Sequence, residues 1–219
     1  AQLRRASAGF DVRLADVTEA FAQIGLMGPR RVDVARAVGA DGLLELDYFG
    51  VGEVAIAGIK AHAVRLSFVG EYGWELTIAA KYAPTVYDAL RAAGAQPSGT
   101  LAQTSMRIEK QFLSYGHDVD TDMSPLQAGL AFSVAWETNF TGRAALLAQR
   151  DVPTDKRIVT LLFEADDSIS PLGNEPVYHE GQVAGKTTSA AWGYRVGRPL
   201  ALADMSLSAA RRDGAAVEV

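Results

Sequence analysis

The residues best suited to chemistry lie in one short segment, Arg65 to Glu75 (RLSFVGEYGWE), which holds three aromatic rings, two glycines and two carboxylates. Aromatic rings can stack on a flat heterocycle, and a carboxylate accepts hydrogen bonds from N–H donors at the rim of that heterocycle. Strand alternation would place Glu75 on the face opposite Trp74, together with Glu71. Because two acids on one face need water, a partner or a ligand, the segment predicts a site for a flat ligand with Glu75 as the acceptor.

The same segment also fits an ordinary core strand. Aromatic and β-branched residues around glycines are typical of a buried strand with a bulge, so the residues alone leave both interpretations open. Alternation cannot turn all three rings to one side, so at most two of Phe68, Tyr72 and Trp74 could contact a ligand.

Composition sets the class of protein. The chain has 219 residues, of which 48% are hydrophobic, and can therefore bury the core of one large or two small domains. No apolar run approaches the roughly 20 residues of a membrane span, and no signal peptide is visible at the start. We therefore expect a cytoplasmic protein with no membrane contact. A net charge of −5 with scattered basic residues argues against nucleic acid as a partner.

Metal and thiol chemistry are not indicated. The sequence has no cysteine, which excludes disulfides, thiolate metal sites and a cysteine nucleophile. Its three histidines, His62, His117 and His179, are far apart and lack metal-ligand spacing. We expect no metal site.

The first part of the sequence alternates between strand and helix signals. Apolar positions predict strand structure within residues 11–26, Pro29 predicts the first turn of a helix ending at Gly39, and residues 54–67 predict a β-hairpin. Pro84 predicts a further helix that ends at Gly94 and carries Val86, Tyr87 and Leu90 on one side.

A helix predicted from Thr100 to Gln111 carries two stripes of side chains. The apolar stripe contains Leu101, Ser105, Ile108 and Phe112, and the polar stripe contains Gln103, Arg107 and Lys110. For Arg107 the simplest interpretation is a solvated or salt-bridged arginine. The following loop, residues 115–120, contains two aspartates that could bind a cation or act as bases, although capping of backbone N–H groups is the commoner use of such residues.

The end of the sequence is β-rich. Strands are predicted at residues 158–163, 175–178, 183–189 and 200–203, and they suggest a small barrel or sandwich. The charged segment 150–156 is the predicted boundary between a domain of residues 1–150 and one of residues 155–219. Because the chain begins without Met and ends on Val217-Glu218-Val219, which resembles an interrupted strand, we expect it to be part of a longer polypeptide.

Several segments together resemble a known family. In chain order they are Leu26-Met27-Gly28-Pro29, Phe68 to Glu75, Ser105 to Lys110, Tyr115 to Asp118, Ser124 to Leu130, Phe140 to Leu146 and Gly185 to Ser189. The ordered set resembles the folate-binding domain of glycine-cleavage aminomethyltransferases (T-proteins), and most of all the branch fused behind FAD modules in dimethylglycine and sarcosine dehydrogenases. That resemblance implies an α+β fold, in which a mixed sheet-and-helix domain precedes a small β-barrel-like domain.

The resemblance also implies roles for individual residues. Glu75 matches the carboxylate that holds the pterin of tetrahydrofolate, and Phe68 matches a position that is Tyr in many T-proteins. Gln103 stands where T-proteins have a folate-contacting Arg, and Arg107, one turn further along the helix, is the candidate to replace that contact. The aspartate thought to matter most for methylene transfer lies upstream of anything in this sequence, so no catalytic residue is assigned.

The implied function is transfer of a one-carbon unit from an N-methylated amine to tetrahydrofolate, next to a flavoprotein module or partner that holds the FAD. One alternative is a non-catalytic folate-binding or docking module, which Gln103 favours. Another is an accessory protein of RNA modification related to the same family, against which the lack of cysteine and the acidic charge argue.

Overall fold

A computed structural model describes residues 2–164, 171–210, 217 and 219 of the chain. The chain forms two compact units. The first comprises Ala1–Ser67 and Glu71–Pro97, and the second comprises Phe68–Gly70 and Ser98–Val219. The fold is α+β in both units, as predicted.

The first unit is built on a four-stranded antiparallel sheet in the order β1-β4-β3-β2. Its elements are α1 (Gln2–Ala6), β1 (Phe21–Met27), α2 (Arg31–Ala37), β2 (Val51–Ile56), β3 (Ile59–Val64), β4 (Gly73–Ala79) and α3 (Ala83–Ala92). Residues 11–17, where strand structure was expected to begin, belong to no helix or strand, and Val12 and Leu14 are exposed.

One face of this sheet forms the core of the first unit. Alternation along β4 buries Trp74, Leu76 and Ile78 on that face. The helices α2 and α3 contribute Val34 and Leu90, among others, to the same hydrophobic cluster. The side chains between these positions lie on the other face, which is polar and open to water.

Local turn and cap signals were reliable in the first unit. The predicted hairpin is confirmed, with Ala57 and Gly58 both at positive φ (49° and 76°), as a tight hairpin turn requires. The predicted helix after Pro84 is also confirmed and ends before Gly94, whose φ is 95°. Of the three residues predicted to share one side of this helix, Val86 and Leu90 are buried, whereas Tyr87 is 42% exposed.

The second unit contains another four-stranded antiparallel sheet, in the order β5-β8-β7-β6. Its elements are α4 (Thr100–Ile108), α5 (Arg143–Arg150), β5 (Lys156–Leu162), β6 (Pro176–His179), β7 (Gln182–Gly193), β8 (Arg198–Ser206) and α6 (Leu207–Ala210). All four predicted strands are present. Ile108 of α4 packs with Ile158, Leu200 and Leu202 in a buried cluster.

The prediction for α4 was wrong in three respects. The helix ends at Ile108, and Leu101, which was assigned to the apolar stripe, is 86% exposed. Arg107, which was assigned to the polar stripe, is buried at 5% exposure. Ser105 and Ile108 are buried as expected. The helix therefore packs along only its C-terminal half.

The predicted domain boundary at residues 150–156 lies inside the second compact unit, which begins at Ser98 after the segment 68–70. A compact unit is defined by contacts within the structure, whereas a domain is defined by its ability to fold independently. The domain boundary at residues 150–156 therefore stays a prediction. The interrupted strand expected at residues 217–219 falls partly outside the described residues. Among the helices that the structure describes, none combines the length and apolarity needed to span a bilayer.

Candidate functional site

Glu75 occupies a central position in the first sheet. It pairs with Gly25 of β1 on one side and Val64 of β3 on the other. Its side chain is partly buried on the polar face, and its Oε2 accepts a hydrogen bond from Nε2 of Gln23. No other described side chain donates to this carboxylate. Glu75 lies on the face opposite Trp74, as the alternation of β4 predicted, and its carboxylate has capacity for further N–H donors.

A second carboxylate, Glu53, lies on the same face but is paired with Lys60 and lies close to His62. Its Oε2 is 2.7 Å from Nζ of Lys60, and its Oε1 is 3.7 Å from Nδ1 of His62. The hydrogen bond from Lys60 is the main reason why the pKa of the Glu53 carboxyl lies below its ordinary value. Glu75 forms no ion pair among the described residues. The carboxylate of Glu75 therefore keeps its charge available for a ligand, whereas that of Glu53 is already neutralised by Lys60.

The aromatic residues beside Glu75 have opposite environments. Trp74 is 3% exposed and lies in the hydrophobic core, so its ring packs on the protein itself. Trp74 and Glu75 lie on opposite faces of β4, so the two side chains cannot both face one ligand. Tyr72 precedes β4 and is 64% exposed. The guanidinium carbon of Arg31 lies 5.0 Å from the centroid of the Tyr72 ring.

Two of the sequence segments quoted above pack directly together. The backbone N–H of Gly28 donates to the carbonyl of Tyr72 at 2.9 Å, next to the pairing of Met27 with Gly73. A Cβ on Gly73 would lie 2.3 Å from the carbonyl oxygen of Leu26. Only glycine allows this approach, so the turn at Gly28 fixes the start of the strand that carries Glu75.

Arg107 belongs to a buried network in the second unit. Its Nη1 donates to Oδ2 of Asp118 at 2.7 Å and to the carbonyl of Phe112 at 2.9 Å, and its Nη2 donates to Oγ of Ser189 at 2.7 Å. The ring of Phe68 lies 5.9 Å from its guanidinium carbon. The salt-bridged interpretation of Arg107 is therefore confirmed. Its expected place on an open polar stripe was wrong, because α4 turns it toward β7.

Asp118 completes this network as a capping residue. It is 3% exposed. Its Oδ2 also accepts from the backbone N–H of Ser114 at 2.7 Å, and its Oδ1 accepts from Oγ1 of Thr188 at 2.7 Å. The capping interpretation is confirmed for this aspartate, which also neutralises Arg107. Its buried oxygens are fully used inside the protein.

The predicted ligand-binding residues are divided between the units. Tyr72, Trp74 and Glu75 belong to the first unit, whereas Phe68, Gln103 and Arg107 belong to the second. Gln103 is exposed on α4. The ligand contacts of all six residues, Phe68, Tyr72, Trp74, Glu75, Gln103 and Arg107, stay predictions.

Sequence reasoning missed three residues that contact the predicted ligand-binding residues within their own units. Gln23 is the partner of Glu75, Asp118 is the counter-ion of Arg107, and Arg31 stacks on Tyr72. Each is separated from its partner by at least 11 positions in sequence. The pairing of β1 with β4 could have indicated Gln23, since Gln23 pairs with Thr77, two residues after Glu75 and on the same face.

Fold and site together define an α+β protein with a partly buried carboxylate in the centre of an antiparallel sheet. Two family models match the chain: "GCVT N-terminal domain" over residues 1–138 and "Glycine cleavage T-protein C-terminal barrel domain" over residues 156–219. The chain belongs to the glycine cleavage T-protein family.

Individual relatives agree with this assignment. The chain is 30% identical over 203 residues to mitochondrial dimethylglycine dehydrogenase from Homo sapiens. The aligned region covers 89% of this chain and 23% of that protein. It is 32% identical over 206 residues to an aminomethyltransferase from Thermotoga maritima, covering 92% of this chain and 56% of the relative. In fold it matches the glycine cleavage system aminomethyltransferase T from Bartonella henselae, with a TM-score of 0.86, 21% identity and coverage of 99% of this chain and 59% of that chain.

Proposed function

We propose that this chain binds tetrahydrofolate and takes part in transfer of a one-carbon unit from an N-methylated amine, as the aminomethyltransferase-type module of an enzyme related to dimethylglycine dehydrogenase. Family membership and the names of the relatives support the reaction class. The observation that carries the binding part is the carboxylate of Glu75, which is partly buried, accepts a hydrogen bond from Gln23 and forms no ion pair within the described part of the chain.

The residues present fit a reduced pterin. Such a ring carries several N–H donors on one edge, and a carboxylate can accept two of them at once. Gln23 fixes the orientation of Glu75 and leaves its Oε1 free of donors from the described residues. A preoriented acceptor loses little side-chain entropy when a ligand binds.

The chain's part in the reaction would be to bind and orient. When bound, tetrahydrofolate supplies the nitrogen N5 that accepts the one-carbon unit. Glu75 would hold the far edge of the ring, so that N5 keeps a fixed direction. Fixed orientation of two reactants can supply several kcal/mol of rate acceleration. A flavin in another module or partner would oxidise the amine beforehand.

Calorimetric titration with tetrahydrofolate under anaerobic conditions tests the binding part. We expect saturable binding of one folate per chain that a tetrahydropterin without the aminobenzoylglutamate tail can displace. Absence of heat and of displacement with the folded chain would refute the assignment.

A second measurement separates a catalytic module from a non-catalytic one. Formaldehyde labelled with ¹³C is supplied with tetrahydrofolate, and the labelled methylene adduct is followed by NMR against a protein-free reaction. We expect the chain to accelerate formation of the adduct. Binding without acceleration would contradict a role in transfer and would favour the folate-binding or docking module.

A further inference from the structure

Gly25 lies beside the Glu75 carboxylate, in the interior of the edge strand β1. The two residues are directly opposite each other in the register of β1 and β4. Gly25 is exposed to solvent. Glycine is unfavourable inside a strand, because it loses more backbone entropy on folding than any other residue and has no side chain to pack. Its presence at this position therefore needs a physical reason.

The packing of the first unit does not require this glycine. Gly25 is not among the glycines with positive φ, so its backbone conformation suits other residues. Within the described part of the chain, a Cβ at this position would meet only the terminal methyl carbon of Met27, at 3.4 Å, which is an ordinary van der Waals distance. Gly73 differs, because a Cβ there would overlap the backbone of β1. A glycine that packing does not explain often marks the close approach of a ligand.

The type of strand pairing puts position 25 next to the carboxylate. The N–H of Gly28 donates to the carbonyl of Tyr72 at 2.9 Å, and from that point the pairs alternate in type along the antiparallel ladder. Gly25 and Glu75 therefore form a non-hydrogen-bonded pair, the type in which opposite side chains come closest. Any side chain at position 25 would lie against the Glu75 carboxylate.

The missing side chain leaves a notch in the polar face of the first sheet, which we call the Gly25 notch. Its floor is the backbone of Gly25, and its back is the carboxylate of Glu75. Gln23 and Met27, two positions before and after Gly25 on the same face, form its sides. On the other side of Glu75 stands the branched side chain of Val64. A flat ring that donates to Glu75 thus finds room over β1, where no side chain intervenes.

We propose that the Gly25 notch receives the pterin ring of tetrahydrofolate, with the donor edge of the ring on Glu75 and one ring face on the backbone of Gly25. This inference rests on the proposed function, which it deepens. The sulfur of Met27 accepts a hydrogen bond from Oγ of Ser67 at 3.6 Å, which holds this polarisable side chain beside the notch. Gly25 thereby selects a ligand that is flat where it meets the sheet.

Opposite effects on binding and stability test the notch. Tetrahydrofolate is titrated anaerobically into the wild type, Gly25→Ala and Gly25→Val, with Ala55→Val as a control on the same face of β2, the other edge strand. We expect binding at least about tenfold weaker for Gly25→Val and about threefold weaker for Gly25→Ala, because the added side chain overlaps the ring. Ala55→Val should bind as the wild type does. The urea midpoints of both Gly25 variants should equal or exceed that of the wild type, because alanine and valine suit a strand better than glycine.

A second measurement locates the ring directly. Intermolecular NOEs are recorded between the wild type and a tetrahydropterin that lacks the aminobenzoylglutamate tail. We expect stronger NOEs to the α-protons of Gly25 and the methyl group of Met27 than to the methyl groups of Val64. NOEs that are absent from Gly25, or stronger to Val64, would place the ring elsewhere and overturn the proposal.

The outcomes distinguish the notch from the proposed function. Wild-type affinity of Gly25→Val, or an equal loss of affinity in Ala55→Val, would show that no ligand reaches Gly25. A lower urea midpoint for both Gly25 variants would show that the fold itself needs the glycine. Each of these results overturns the notch while folate binding stands. If the folded wild type binds no tetrahydrofolate, then the proposed function fails, and the notch fails with it.

Discussion

At the scale of single residues, two carboxylates on one face of the first sheet have different surroundings. Glu53 is neutralised by Lys60, whereas Glu75 accepts a hydrogen bond from the neutral amide of Gln23. A neutral donor orients a carboxylate without cancelling its charge. This difference singles out Glu75 as the acceptor, and it makes Glu53 the natural control for experiments on Glu75.

The buried ion pair between Arg107 and Asp118 should stabilise the second unit strongly. Asp118→Asn removes the charge that faces Arg107, whose side chain is 6% exposed. An unpaired buried cation is costly, so we expect a loss of about 3–5 kcal/mol in the free energy of unfolding. Urea denaturation measures this loss. Asp120→Asn, in the same loop but exposed, should change stability by less than about 0.5 kcal/mol. Equal effects of the two substitutions would contradict the structural role of the ion pair.

The hydrogen bonds of the Glu175 carboxylate should make the free energy of unfolding depend on pH. Burial alone would raise the pKa of its carboxyl, but hydrogen bonds from Thr187 and from the backbone N–H groups of Leu172 and Gly173 outweigh burial and lower it. A carboxyl with a lowered pKa in the folded state stabilises the fold above its unfolded-state pKa, and that stabilisation disappears as pH falls through the lowered value.

The matching experiment compares the wild type with Glu175→Gln by urea denaturation between about pH 6 and pH 3. We expect the variant to be less stable near neutral pH and to lose less stability on acidification. Glu180→Gln, in the exposed hairpin turn, serves as the control. Parallel pH curves for the wild type and Glu175→Gln would show that these hydrogen bonds do not stabilise the ionised form.

At the scale of elements, the contact of β1 with β4 depends on one glycine. A Cβ at Gly73 would meet the carbonyl oxygen of Leu26 at 2.3 Å, so Gly73→Ala must push the two strands apart. We expect a loss of about 1–3 kcal/mol of stability, measured by urea denaturation, together with weaker folate binding. Gly99→Ala, where nothing lies within 4 Å, should change neither by much. Unchanged stability of Gly73→Ala would contradict the close packing.

Elements with local signals were predictable from the sequence. Turn glycines identified the hairpin around Gly58 and the end of α3, and alternating residues identified the strands of the second unit. Residues 11–17 were wrongly included in a strand, because exposed apolar residues there imitate the pattern of a half-buried one. The apolar stripe of α4 failed at Leu101, since only the second half of that helix has a neighbouring sheet to pack on.

The candidate site was predictable only where it followed from strand alternation. Alternation placed Glu75 and Trp74 on opposite faces, as the structure shows. The partners of these residues depend on pairing between distant segments: Gln23 lies 52 positions from Glu75, and Ser189 lies 82 from Arg107. No local pattern encodes such contacts, so Arg107 could be foreseen as salt-bridged in general but not as part of this network.

At the scale of the whole molecule, the chain contributes a part of what its relatives contain. It spans about half the length of the aminomethyltransferases that it matches and about a quarter of the dimethylglycine dehydrogenase. The activity of those longer proteins is therefore a proposal for this chain, whereas its fold and family are established. The orientation of Glu75 belongs to the first unit alone, so it can be tested on the chain as it stands.

The most direct test of the account is the affinity of tetrahydrofolate for Glu75→Gln, compared by calorimetry with the wild type and with Glu53→Gln. Loss of the carboxylate leaves the N–H groups of a bound pterin without their acceptor, so we predict binding at least about tenfold weaker for Glu75→Gln. Glu53→Gln should bind as the wild type does. Equal affinities in all three folded proteins would contradict the claim that Glu75 holds the ligand.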